Sequence, residues 1–248
     1  MTERSDPFRH HPGLRGKVTP AAESYFRTFT TQTMKDTLAA RGLPATFPYH
    51  PDAVREGLRA EALAGHEGDL LVFAYGSLIW DPALEFTELR RAHAPQHARR
   101  FILVDTHGAR GTAEAPGLMA ALDDGAGCDG VVFRIAAETV ETETEILFRR
   151  EMIGPGYHAR FIPALIDGTE ARALAFLADH DDPLMQAGIS RADQIRYAAT
   201  GAGFLGTSFD YLHSTVAHLA EVGITDVDAS DLLAAARAYR ATAGLPAS

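Results

Sequence analysis

The chain has 248 residues, 46% hydrophobic content and a formal net charge of −10, which suits one large domain or a domain with an extension. The negative charge argues against a general nucleic-acid-binding face, and no apolar run reaches the roughly 20 residues of a membrane span or the centre of a signal peptide. A single cysteine, Cys128, rules out an intramolecular disulfide framework and fits a reducing compartment. Together these observations predict a cytoplasmic protein without nucleic-acid or membrane partners.

The first 68 residues read as an extension of the main domain. The pattern predicts a helix over Ala21–Arg41 and a second helix over Asp52–Leu63, separated by the Pro-rich stretch GLPATFPYHP. We therefore predict a mostly helical N-terminal extension over residues 1–68 and a main domain over residues 69–240.

The main domain begins with the apolar run DLLVFAY, which is typical of a buried strand. Later strands are predicted over Arg100–Asp105, Gly117–Leu122, Gly130–Ile135, Tyr157–Pro163 and Arg172–Ala178. One internal helix, Glu138–Met152, interrupts them, and three helices follow, near Ser190–Thr200, Ser208–Val222 and Ser230–Arg240. Helices do not alternate with every strand, so the pattern predicts an α+β fold whose mixed sheet can curl into a barrel.

The first strand ends unusually, in the sequence YGSLIW. Its apolar run breaks at Gly76-Ser77 and resumes without a hairpin partner. A plain turn between two elements is one interpretation of this pair. A backbone loop that holds a ligand is the other.

The helix Glu138–Met152 places one glutamate on its apolar face. At 100° per residue, Glu151 points within about 20° of Val140. Burial and the negative end of the helix dipole both raise the pKa of a carboxylate, which makes it a stronger base. A structural ion pair is the alternative, with a partner among Arg149, Arg150 and Arg160.

Tyr157 follows this helix after the turn GPG and opens the next predicted strand. Strand alternation places Tyr157, Ala159 and Phe161 on one face. Tyr157 can therefore point into the same cavity as Glu151.

Any anionic substrate must be bound by local groups, and the basic groups are almost all arginine, because the chain has only two lysines. The guanidinium group holds a carboxylate in a planar fork. The candidates are Arg110, Arg149, Arg150 and Arg160.

Three other features are weaker candidates for function. The sequence GAGFLG at 201–206 has the dinucleotide-binding spacing, but it follows a predicted helix rather than a strand, so we expect Gly201 to be the C-cap of that helix. The histidine pairs His93/His97 and His213/His218 lack the context of a metal site, and we predict no metal. Cys128 is expected to be a small buried residue rather than a nucleophile.

Five segments, in order, resemble the ChaC-like γ-glutamylcyclotransferases over about Leu70 to Gly223. They are FAYGSLIWDP, ARGTAEAPGL, GCDGVVFRI, FRREMIGPGYHARFIP and GFLGTSFDYLHSTVAHL. Ala74 stands where the family usually has a glycine before the YGSL loop. The resemblance implies a γ-glutamylcyclotransferase-like mixed sheet or barrel flanked by helices.

The resemblance also implies a lyase without a cofactor. In this family the α-amine of glutathione attacks its own γ-glutamyl carbonyl, giving 5-oxoproline and Cys-Gly. Glu151 matches the general acid/base, and the substrate-binding positions are Tyr75, Gly76, Ser77, Leu78, Tyr157 and Tyr211. Two alternatives stay open: turnover of other γ-glutamyl amines or peptides, and a non-catalytic domain that binds a small anion or a protein.

Overall fold

The structure, a computed structural model, describes residues 6–43 and 45–246. Its strands are β1 Leu70–Ala74, β2 Glu88–Ala94, β3 His97–His107, β4 Thr112–Asp124, β5 Cys128–Ile135, β6 Tyr157–Ile166, β7 Thr169–Ala178, β8 Ala202–Gly203 and β9 Gly206–Thr207. Its α-helices are α1 Thr31–Ala40, α2 Asp52–Ala62, α3 Val140–Glu151, α4 Arg191–Thr200, α5 Ser208–Glu221 and α6 Val227–Thr242.

The main sheet closes on itself. Its strand order is β1-β5-β2-β6-β7-β4-β3, and a parallel bridge between Val72 and Leu174 joins β1 to β7. The strands β1, β5, β2, β6 and β7 thus form a barrel, and the β3–β4 hairpin continues from β7. The predicted α+β fold with a mixed sheet curled into a barrel is confirmed.

Helices cover the sheet on two sides and create two apolar cores. On one side, α3 places Leu147 and Phe148 in the same core as Val72 of β1. All five residues of β1 are buried. On the other side, α4, α5 and α6 pack against a core that includes Phe73 and Phe101. Because β1 is covered on both faces, its side chains form a continuous apolar run rather than an alternating one.

The predicted helix over Ala21–Arg41 is wrong in its first half. Short 3₁₀ turns occupy this stretch, and α1 begins only at Thr31. Thr30 caps the helix, because its hydroxyl accepts a hydrogen bond from the Thr33 amide at 3.1 Å. This cap satisfies an amide of the first turn that has no acceptor within the helix.

The strand β2 was not predicted. Its sequence, ELRRAHA, is rich in charged residues, yet it lies between β5 and β6. Its buried Glu88 accepts a hydrogen bond from Arg134 on β5 at 2.9 Å. Pairing also makes β3 and β4 longer than the predicted Arg100–Asp105 and Gly117–Leu122, because the two strands form one long hairpin.

The N-terminal residues pack on the main domain. Leu14 and Val18 are buried in the same core as β1, and Phe29, Met34 and Leu38 form a smaller cluster of their own. The division of the chain at residue 68 stays a prediction. Among the described residues, no helix has the length and apolar character needed to cross a membrane.

Candidate functional site

The structure brings all seven predicted site residues to one cavity. This cavity has a volume of about 220 Å³ and lies where β1 ends, between the end of α3 and the start of α5. The predicted residues that line it are Tyr75, Gly76, Ser77, Leu78, Glu151, Tyr157 and Tyr211. Their roles in binding and catalysis stay predictions, but their proximity is a property of the fold.

The YGSL loop faces this cavity and turns into a 3₁₀ helix at Ser77–Ile79. The N–H groups of a helix's first turn have no acceptor within the helix and can bind an anionic or carbonyl oxygen. Gly76 is required by crowding, because a Cβ built on it would lie 2.7 Å from the Tyr211 hydroxyl oxygen. The loop therefore packs closely against Tyr211 at the cavity wall, and its binding of a ligand stays a prediction.

Glu151 is the last residue of α3, and its side chain is only 15% exposed. Burial raises the pKa of its carboxyl group, while the neighbouring Arg150 acts in the opposite direction. Nε of Arg150 lies 2.9 Å from Oε1 of Glu151. Features of both interpretations of the sequence, a base and an ion pair, are therefore present. The carboxylate is buried and has a raised pKa, and it also has an arginine partner.

The other two arginines considered as partners lie elsewhere. Arg149 pairs with Glu145 at 3.3 Å, one helical turn away. Arg160 is exposed on β6. Of these three arginines, Arg150 is the one that lines the cavity, where its Nη2 also donates to the Ser77 hydroxyl at 2.9 Å. It thus joins the end of α3 to the YGSL loop.

Three tyrosines surround the Glu151 carboxylate. Tyr75 donates its hydroxyl to the Phe176 carbonyl at 3.0 Å, and the Tyr211 hydroxyl accepts from the Ala120 amide at 3.3 Å. Burial is the main cause that raises the pKa of Tyr75, Tyr157 and Tyr211, and the nearby Glu151 raises it further in each case. All three hydroxyls therefore stay protonated at neutral pH.

Arg110 is a second basic group on the cavity wall. No carboxylate of the described residues lies within 4 Å of its guanidinium; it contacts the Thr207 carbonyl at 3.3 Å and lies over the Tyr211 ring, 5.1 Å from the centroid. Burial lowers the pKa of Arg110. A mostly buried guanidinium without a carboxylate partner is well suited to bind an anionic ligand.

Sequence analysis missed a further set of lining residues from the N-terminal part. We call these five side chains the N-terminal wall: Phe26, Phe29, Met34, Phe47 and Tyr49. The only local signal was the aromatic content of the stretches SYFRTF and TFPYH. Nothing in these stretches shows which distant residues they meet.

The structure does not give the weaker candidates the roles that their motifs suggest, although Phe204 and Leu205 of the GAGFLG stretch line the cavity. Gly201 caps the C-terminus of α4 as predicted, and the residues after it form the β8–β9 hairpin rather than a βαβ unit. Within residues 6–43 and 45–246, no group of three or more His, Cys, Asp or Glu side chains is arranged to hold a metal ion. Cys128 is buried at the start of β5, and burial raises the pKa of its thiol.

Comparisons with known proteins agree on one family. The profile of ChaC-like proteins matches residues 70–239. A glutathione-specific γ-glutamylcyclotransferase of Escherichia coli (strain K12) is 40% identical over 169 residues, covering 67% of this chain and 72% of that protein. Its counterpart from Schizosaccharomyces pombe is 30% identical over 169 residues, covering 59% of this chain and 80% of the relative.

A solved structure supports the fold. The γ-glutamyl cyclotransferase specific to glutathione from yeast superposes with a TM-score of 0.64 at 20% identity, covering 70% of this chain and 97% of that one. At this identity the match concerns the fold alone. The N-terminal wall lies outside the residues that the family profile matches.

Proposed function

Because the chain belongs to the ChaC-like family, we propose that it cleaves glutathione to 5-oxoproline and Cys-Gly. The chain is a γ-glutamylcyclotransferase, as are the relatives that it matches. The observation that carries the proposal is the placement of Glu151: a mostly buried carboxylate with a raised pKa faces the YGSL loop in one cavity.

The reaction needs a base, because an α-ammonium group is not a nucleophile. Glu151 takes a proton from the α-ammonium group of the γ-glutamyl residue. The freed amine then attacks the γ-carbonyl carbon and closes a five-membered ring. When the bond to the cysteine nitrogen breaks, Glu151 returns this proton to the leaving nitrogen. The ring nitrogen also gives up its second proton, which Glu151 relays in the same way, so the products are the neutral lactam and Cys-Gly with an α-ammonium group. A raised pKa suits a group that must accept and donate in turn.

The loop and the tyrosines have complementary tasks in this scheme. Ring closure is intramolecular, so holding the glutamyl chain folded back removes much of the barrier. The N–H groups at the start of the 3₁₀ turn in the YGSL loop bind the glutamyl end. The hydroxyls of Tyr157 and Tyr211 remain protonated, so they can donate to the carbonyl oxygen as negative charge develops on it.

Arg110 binds the α-carboxylate of the γ-glutamyl group. It lies over the ring of Tyr211, whose hydroxyl borders Gly76 of the loop. These contacts support a position of the Arg110 guanidinium on the glutamyl side of the cavity. A charge-assisted contact here compensates for the chain's negative charge, which by itself repels an anionic substrate.

The test is to incubate the purified protein with glutathione and measure 5-oxoproline and Cys-Gly without added metal or nucleotide. We expect equal amounts of both products and the same rate in the presence of EDTA. A rate that falls on chelation and returns with zinc contradicts the metal-free scheme. Turnover of other γ-glutamyl amines but not of glutathione contradicts the proposed substrate while leaving the chemistry intact.

A further inference from the structure

The N-terminal wall is fastened to the catalytic part of the chain beside Glu151. Arg27 forms a partly buried ion pair with Glu143 on α3, with a contact of 2.9 Å. The His50 amide donates to the Ile153 carbonyl at 2.9 Å, just beyond the end of the same helix. Gly154 has no room for a side chain, because a Cβ there would overlap the ring of Phe47. The wall is therefore held at a fixed position.

Arg150 contacts both the YGSL loop and the N-terminal wall. Its Nη2 donates to the Ser77 hydroxyl at 2.9 Å, and its guanidinium carbon lies 4.2 Å from the centroid of the Phe26 ring. Glu151 is bonded to the same guanidinium. Arg150 thus connects the YGSL loop, the N-terminal wall and Glu151 within one cavity.

The positions of the YGSL loop and the N-terminal wall indicate where the amine released from the glutamyl group lies. If the glutamyl end is held by the YGSL loop, the bond that breaks lies next to Glu151, and the leaving amine extends away from the loop. The surface on that side is made of Phe26, Phe29, Phe47 and Tyr49, joined by Phe204 from the β8–β9 hairpin.

Tyr49 gives the wall one polar feature. Its hydroxyl oxygen is buried and has no hydrogen-bond partner among the described residues. Burial raises the pKa of Tyr49, and Asp105 raises it further. The hydroxyl therefore stays protonated and can donate a hydrogen bond to a ligand oxygen. A buried hydroxyl without a partner gains most from a ligand that supplies one.

We propose that the N-terminal wall forms the subsite for the leaving amine and selects among γ-glutamyl compounds by the group they release. The chemical class that fits is a short peptide with a small apolar or sulfur-bearing side chain. Its side chain packs against the aromatic rings, and a peptide carbonyl or carboxylate oxygen accepts from Tyr49. The inference rests on the proposed function, since it assumes that the glutamyl end occupies the YGSL loop.

The experiment compares two substrates that share the glutamyl group. Glutathione releases a dipeptide, whereas γ-glutamylmethylamide releases an amine with neither a side chain nor an oxygen. Tyr49→Phe removes only the unpartnered hydroxyl, and Phe47→Ala removes an aromatic ring. Val54→Ala is the matched control, because Val54 is an exposed apolar residue of the N-terminal part that does not line the cavity.

We expect Tyr49→Phe to lower kcat/KM for glutathione by roughly 2- to 10-fold, the usual size of one hydrogen bond, and to leave γ-glutamylmethylamide unaffected. Phe47→Ala should lower the ratio of the two kcat/KM values further. The affinity of both variants for 5-oxoproline should stay within about twofold of wild type. This ligand lacks the leaving group and therefore does not contact the altered side chains. Val54→Ala should change none of these quantities.

Some outcomes overturn only this inference, and another overturns the proposed function as well. Equal losses with both substrates and with 5-oxoproline, or no change in the substrate ratio for the folded Tyr49→Phe protein, mean that the wall does not select the leaving group. A wild-type protein that forms no 5-oxoproline from either compound contradicts the proposed function itself and this subsite with it. Circular dichroism and melting temperatures identify any variant that fails to fold.

Discussion

The guanidinium of Arg150 forms an ion pair with the carboxylate of its chain neighbour Glu151, with Nε 2.9 Å from Oε1. The pair is buried beside a cavity, where an isolated carboxylate would tend to stay protonated. Arg150 limits this tendency without abolishing it, because burial is still the largest influence on the pKa of Glu151. The pair therefore holds an ionisable base in a mostly apolar place.

Replacing Glu151 with glutamine tests the proposed base. Glu151→Gln keeps the shape of the side chain but cannot accept the ammonium proton, so we expect kcat to fall by at least about 10²- to 10⁴-fold. Affinity for 5-oxoproline should survive, because the YGSL loop is unchanged. Turnover measured beside product binding checks both statements, and near-normal turnover in a folded protein contradicts the mechanism.

The same variant separates a catalytic from a structural carboxylate through its stability. Arg150 keeps its bonds to the Ser77 hydroxyl and to the Asp81 carbonyl when Glu151 is replaced. A carboxyl group whose pKa is raised in the folded state favours folding at low pH, and this contribution is lost as the pH rises through that pKa. Glu151→Gln should therefore melt at the same temperature as wild type or higher at neutral pH. A clear loss of stability supports a structural ion pair instead.

The pH dependence of the rate should depend on Arg150. The base works only when deprotonated, and burial raises the pKa of Glu151, so kcat/KM should decline on acidification at a higher pH than the roughly 4.3 of an exposed glutamate. Arg150 lowers this pKa. Arg150→Met should therefore move the acid limb to still higher pH, whatever it does to the maximal rate. A limb that does not move, measured over pH 4–8, contradicts the assignment.

Gly76→Val should weaken binding at the glutamyl side. A Cβ at this position would lie 2.7 Å from the Tyr211 hydroxyl oxygen, so the loop and the tyrosine must separate. We expect the affinity for 5-oxoproline, measured by calorimetry, to fall by at least about tenfold, since well-packed sites tolerate little added volume. Gly188→Val is the control, because no atom lies within 4 Å of a Cβ there. Equal affinities in the two variants would return the Gly-Ser pair to a simple turn.

Arg110→Gln tests the carboxylate anchor. Loss of one charge-assisted contact should weaken 5-oxoproline binding by about 10- to 150-fold. The ligand 2-pyrrolidinone has the lactam ring of 5-oxoproline without its carboxylate. It should bind more weakly than 5-oxoproline, with the same affinity for wild type and variant. Arg160→Gln, at an exposed arginine of β6, serves as the matched control. A similar loss for both ligands indicates that Arg110 only supports the cavity wall.

The sequence was sufficient to predict the fold class and the enzyme family, because five motifs occur in the family's order and the strands of the barrel are strongly apolar. The strand β2 was not predicted, because arginines separate its apolar residues. In the sheet these arginines lie at the surface or in ion pairs. The N-terminal wall escaped for a different reason. Contacts such as that of Phe47 with Gly154 join distant parts of the chain, and local patterns carry no information about them.

The site prediction was most informative where a residue contradicted its surroundings. Glu151 was recognisable because a charged residue stood on an apolar helix face, and Gly76 because it interrupted a buried strand. Arg110 could be named as a candidate but not chosen, since the absence of a carboxylate partner is a property of the folded chain. The roles of all these residues stay predictions until the variants are measured.

The buried position of Cys128 has a consequence for the proposed use of glutathione, a thiol tripeptide, as substrate. Glutathione is accompanied by its disulfide, which exchanges with accessible protein thiolates to form mixed disulfides. The chain's only thiol is enclosed at the start of β5, and burial raises its pKa, so the reactive thiolate is both scarce and shielded. Incubation with glutathione disulfide should leave the mass of the folded protein unchanged. Its kcat and KM for glutathione should thus be the same before and after exposure to glutathione disulfide.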